Sequence, residues 1–95
     1  VINFGNTEIN LNKHLIIKNN QEYKINSTEK TILEVMINSP GKTFSREEIG
    51  SIIKLDKERS IDVVITRLRK KIELDPKNPK YLQTLRGEGY VLWIE

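Results

Sequence analysis

Along this chain the spacing of apolar residues changes from the strand period to the helix period and back. Residues 1–25 (VINFGNTEINLNKHLIIKNNQEYKI) follow the strand period, most cleanly in Glu8-Ile9-Asn10-Leu11, where apolar and polar side chains alternate as on a half-buried strand. The runs are broken at Gly5-Asn6, Asn12-Lys13 and Asn19-Asn20, where Gly and Asn tolerate the positive φ of tight hairpin turns. This predicts four strands near residues 1–4, 7–11, 14–18 and 22–25, joined in a small antiparallel sheet. The single histidine, His14, falls beside a turn with no partner type nearby and reads as a surface residue.

From Asn26 the period becomes helical. Asn26 to Glu29 (NSTE) has the form of a capping box, with a side-chain oxygen at the start and a carboxylate three residues on. The helix it opens gathers Ile32, Leu33, Met36 and Ile37 on one face. It must end at Asn38-Ser39-Pro40-Gly41, because proline moves its predecessor out of the helical region and glycine closes the turn. Thr43-Phe44 reads as a two-residue extended link, and Ser45 to Glu48 (SREE) as a second capping box opening a short helix with Ile49, Ile52 and Ile53 inward. Lys54 to Glu58 is a charged connector, with Asp56 a candidate cap, leading to a third helix over about residues 59–73. Asp75-Pro76 and Asn78-Pro79 stop that helix near Leu74. Two β-rich runs, Tyr81–Leu85 and Tyr90–Ile94, then flank Gly87-Glu88-Gly89 and predict a hairpin, with Tyr90 and Trp93 packed against the third helix.

The third helix carries the most informative pattern. At 100° per residue, Ile61, Ile65, Leu68 and Ile72 share one narrow face, the expected core stripe. Roughly opposite fall Arg59, Val63, Thr66, Arg67 and Lys70. A face mixing cations, a hydroxyl and an exposed apolar group suits a DNA major groove, which offers phosphates, base edges and thymine methyls. Arg69 lies on the flank, where an ion pair with Glu73 or Asp62 competes with a DNA contact. Lys70 and Lys71 read as phosphate contacts. In the hairpin, Thr84 and Arg86 share a parity and project from one side.

Charge sharpens this picture. The net charge of +3 is a weak pointer to an anionic partner, but residues 66–71 hold Arg67, Arg69, Lys70 and Lys71 with no acid among them. The chain has no cysteine and one histidine, which removes thiolate chemistry, disulfides, Cys-based zinc sites and the usual nucleophile–base pairs. Neither an enzyme nor a cofactor is expected. Gly87 and Gly89 do not form a phosphate loop, because no Lys-Ser/Thr follows to open a helix. No apolar run approaches the roughly 18 residues of a membrane span. The 95 residues form one domain, 1–95, and the opening Val1 suggests a fragment of a larger protein.

Four strands, three helices with short connections and a terminal hairpin define an α+β winged helix-turn-helix with an N-terminal antiparallel sheet. Three stretches carry a more specific resemblance: SREEI at 45–49, ERSIDVVITRLRKKIELDP at 58–76 and YLQTLRGEGYV at 81–91. In this order and spacing the chain resembles the winged-helix effector domain of OmpR/PhoB-type two-component response regulators, the OmpR branch most of all. The resemblance implies that the third helix enters the major groove, with Arg67 reading bases and Val63 touching base methyls. Thr66 and Lys70 would flank these contacts, while Thr84 and Arg86 would come from the wing (about 82–93), Arg86 toward the minor groove or a phosphate.

The resemblance further implies a cytoplasmic transcriptional regulator without a membrane segment. Its receiver domain would be absent from this chain, and it would pair with a second protomer on direct-repeat sites. The connector between the second and third helices would be the loop that meets RNA polymerase, here (Ile53 to Glu58) shorter than in most members. Val64, where His, Tyr or Gln is common, would alter a flanking contact, and Lys30 stands where an apolar residue is usual. The expected DNA-binding set is thus Arg59, Val63, Thr66, Arg67, Arg69, Lys70, Lys71, Thr84 and Arg86. The alternative is a winged helix used mainly for binding protein, for example RNA polymerase. It predicts a neutral or apolar outer face on the third helix.

Overall fold

The computed structural model describes residues 2–5, 7–53 and 61–94. Strands β1 (Ile2–Phe4), β2 (Thr7–Asn10), β3 (Leu15–Lys18) and β4 (Gln21–Lys24) form an antiparallel sheet in sequential order. Its register aligns Ile2, Ile9, Ile16 and Tyr23 in one row across the core-facing side. The β3–β4 turn is Asn19-Asn20, both at positive φ (51° and 66°), as a two-residue hairpin loop requires. His14 also takes a positive φ (55°), so β3 starts at Leu15, one residue later than the alternation suggests.

Helix α1 (Ser27–Asn38) opens with the expected reciprocal capping box. The Asn26 side chain accepts from the Glu29 backbone N–H at 2.8 Å, and Glu29 accepts from the Asn26 N–H at 3.0 Å. Helix α2 (Arg46–Ile53) repeats the device with Ser45 and Glu48, both bonds at 3.1 Å. Helix α3 (Ile61–Ile72) follows, then the hairpin of β6 (Leu82–Leu85) and β7 (Gly89–Leu92). The connector from Lys54, including Asp56 and Arg59, lies outside the described residues.

One element differs in kind from the sequence reading. Thr43–Phe44 is strand β5, paired with Val91 and Tyr90 of β7, so the hairpin belongs to a three-stranded sheet ordered β5-β7-β6. Gly89 permits this approach: a Cβ there would fall 2.0 Å from the Phe44 carbonyl oxygen.

The core joins both sheets to the three helices. Ile9 and Ile16 from the first sheet meet Ile32, Leu33 and Met36 of α1, Ile49 of α2, Ile65, Leu68 and Ile72 of α3, and Leu82 and Leu92 of the hairpin. Val64 joins this cluster as a packing residue. Ile61 packs at the margin. Trp93 does not pack against α3: it is 47% exposed, lies over Gly41 and donates its indole N–H to Gln83 at 3.1 Å.

Candidate nucleic-acid interface

With its core stripe buried, α3 presents three further faces. Val63, Thr66, Arg67 and Lys70 are all exposed and run together along the outer side. Among the described residues no hydrogen bond or ion pair engages the Arg67 guanidinium or the Lys70 ammonium. The Thr66 hydroxyl donates to the Asp62 carbonyl one turn earlier, at 2.7 Å, and keeps its lone pairs outward. Val63 is 47% exposed, an apolar group left among cations.

The flank toward the hairpin holds Asp62 and Arg69, about two turns apart on nearly the same side. Arg69 donates from Nε to the Leu82 carbonyl at 2.8 Å and from its terminal nitrogen to the Thr84 hydroxyl. Its guanidinium also lies over the Tyr90 ring, 5.9 Å from the centroid. Asp62 accepts from the Tyr90 hydroxyl and from Arg46 of α2. These donors, Tyr90 first and then Arg46, hold the Asp62 carboxyl below its ordinary pKa. Burial and the adjoining carboxylate push the Tyr90 phenol up. Arg69 thus ties α3 to the hairpin where the sequence allowed a pair with Glu73.

The opposite flank points at α1. Lys71 donates to both oxygens of Glu29, at 2.8 and 3.0 Å, and to the Lys24 carbonyl at 2.8 Å. All three donors of this ammonium are thus directed at acceptors within the chain. The sequence signal was ambiguous because a cation beside Lys70 looks the same whichever way it points.

Two carboxylates escaped sequence reasoning in their full roles. Glu29, 2% exposed, closes the capping box and receives Lys71 as well. Glu73, 1% exposed, accepts from the backbone N–H groups of Lys80, Tyr81 and Leu82, fixing the loop that feeds the hairpin. The only hint was a lone acid at the end of a basic helix, where the dipole disfavours it.

The C-terminal end of α3 is capped from the first sheet. Lys18 donates to the carbonyls of Lys70 and Glu73, each at 2.7 Å, and the Thr7 hydroxyl to that of Ile72 at 3.1 Å. Thr84 and Arg86 are exposed on the hairpin, with Arg86 in its turn. An open cleft of about 620 Å³ separates them from the start of α2, lined by Ser45, Arg46, Glu47 and Glu88 among others. Among the described residues no cluster of three or more His, Cys, Asp or Glu is placed to hold a metal, and no helix is long and apolar enough to cross a membrane.

A helix-turn-helix followed by a hairpin that flanks its last helix is a winged helix, and the four-stranded sheet before it narrows the class. The chain belongs to the family of transcriptional regulatory protein C-terminal domains, of the OmpR/PhoB type, whose pattern matches residues 20–92. It is 39% identical over 98 residues to the probable transcriptional regulator ycf27 of Porphyridium aerugineum, covering 96% of this chain and 40% of that protein. The chain thus spans about 40% of the length of the curated relatives it matches. Among solved structures it is similar to the DNA-binding domain of the response regulator AdeR, in complex with an intercistronic region. That match has 27% identity, a TM-score of 0.71 and coverage of 97% and 98% of the two chains. It is also similar to DrrB, an OmpR/PhoB homologue from Thermotoga maritima, at 29% identity and a TM-score of 0.79, covering 96% of this chain and 43% of that one.

Proposed function

We propose that this chain is a sequence-specific double-stranded DNA-binding domain, the output domain of a two-component response regulator. The carrying observation is the outer stripe of α3, where Val63, Thr66, Arg67 and Lys70 are exposed together while the neighbouring cations are spent internally. Arg67 reads a base edge, Val63 meets a thymine methyl, and Lys70 neutralises a phosphate. Thr84 and Arg86 contact the backbone or adjacent minor groove from the wing. The DNA complex of the similar AdeR domain supports this reading. In the cytoplasm the domain would work as a binding module, not a catalyst, beside a receiver domain and a second protomer on repeated half-sites. RNA polymerase is a further partner of the same regulator. A purely protein-binding role fits poorly with a cationic outer stripe.

Selection from a pool of random duplexes tests the reading. One enriched motif is expected, with affinity that falls steeply as salt rises. Arg67→Ala should weaken the selected site by about 1–3 kcal/mol and relax preference at one base. Equal losses on selected and scrambled DNA would remove base reading from Arg67, and no enrichment would remove the function.

A further inference from the structure

We infer that Arg69 is a positioning residue which latches the wing to α3 and turns the Thr84 hydroxyl outward as a phosphate donor, while making no DNA contact of its own. This rests on the DNA-binding reading for its purpose, but its geometry is internal to the chain.

Arg69 reaches the hairpin at two atoms of one strand, the Leu82 carbonyl and the Thr84 hydroxyl, with its Cζ 5.9 Å from the centre of the Tyr90 ring on the next strand. A planar guanidinium holding two acceptors fixes an angle as well as a distance, which a lysine ammonium cannot do. About two turns earlier on the same flank, Asp62 takes the Tyr90 hydroxyl, so the helix meets the hairpin at two points and the hairpin cannot pivot about either. The spacing between the outer stripe and Arg86 is set by this pair of contacts.

The same bond decides what Thr84 can do. A guanidinium has donors only, so the Thr84 oxygen must accept from it. Its hydroxyl proton is then turned away from Arg69, toward the exposed side of the wing, where a phosphate oxygen can receive it. Arg69 thereby acts on DNA through Thr84.

Amide hydrogen exchange on the uncomplexed chain and salt-dependent binding on the selected duplex test this together. Arg69→Lys, which keeps the charge, and Arg69→Met should both speed exchange across residues 82–92 by on the order of tenfold. They should blur base preference at the wing end of the site. The slope of log affinity against log salt should stay at the parent value for both. Thr84→Val, which keeps the Arg69 bond to the Leu82 carbonyl, should speed exchange by less than either, and Thr84→Ser should restore the parent behaviour. A slope that falls by about 1 in Arg69→Met but not in Arg69→Lys, with hairpin exchange unchanged, would make Arg69 a phosphate contact and overturn the latch. Should the parent chain enrich no motif, the DNA reading fails. The exchange data still decide the latch, upheld by faster exchange and refuted by parent rates.

Discussion

At its C-terminal end α3 is gripped by the four-stranded sheet through main-chain carbonyls, with Lys18 and Thr7 as the donors. Along its flank the wing grips the same helix through side chains of the helix itself, Asp62 and Arg69. The first grip satisfies carbonyls that any helix leaves open at that end, whatever its sequence. The second exists only for two particular residues. One therefore fixes where the helix ends and is indifferent to its outer face, while the other aims the wing and can change without unmaking the helix.

Experiments that break this contrast can be ranked by size. The largest effect is expected at Glu73, whose buried carboxylate receives three successive N–H groups where α3 hands over to the wing. Glu73→Ala should cost about 3 kcal/mol or more in urea unfolding, and Glu73→Gln about half of that. A loss under about 1 kcal/mol would mean that water takes over the carboxylate's work. Next come two neighbouring lysines with opposite outcomes. Lys71→Met strips Glu29 of its partner and should cost about 2 kcal/mol of stability while leaving the salt slope of DNA binding alone. Lys70→Ala should change stability by less than about 0.5 kcal/mol yet lower that slope by about 1. Swapped results would place the wrong lysine on the outside.

Lys18→Met should cost about 1 kcal/mol and show as faster amide exchange in the last turn of α3, with the wing unaffected. The smallest effect is acid dependence at Asp62. Its folded pKa is depressed by Tyr90 and Arg46, so its contribution is complete above the unfolded-state value and is lost as pH falls through the lower folded one. An NMR titration should place its midpoint below that of an ordinary aspartate, and Asp62→Asn should abolish this part of the acid response. A midpoint at the ordinary value would dissolve the contact with Tyr90.

Neither grip was legible in the sequence, although the elements they join were. Local chemistry announced itself: NSTE and SREE capped the helices they were expected to cap, Asn19-Asn20 turned the chain, and Pro40-Gly41 ended α1. The outer stripe of α3 followed from periodicity alone. What stayed hidden depended on partners distant in sequence. Lys71 meets Glu29, Arg69 meets Thr84, and Lys18 caps a helix whose last residues come more than fifty positions later. Strand β5 was missed for a related reason, since two residues are too few to show a period and only pairing with β7 makes them a strand. In a run such as RLRKK, composition states that charge is present, while orientation decides whether it is spent inside or offered outside.

The wing tip also has a practical use. Gly89 admits no side chain because of the Phe44 carbonyl, but Glu88 is exposed and the space around the neighbouring Gly87 is open for 4 Å. The chain contains no cysteine, so Glu88→Cys would introduce a unique thiol in the turn of the hairpin. A fluorophore or photocrosslinker attached there would report on whatever surface the tip approaches.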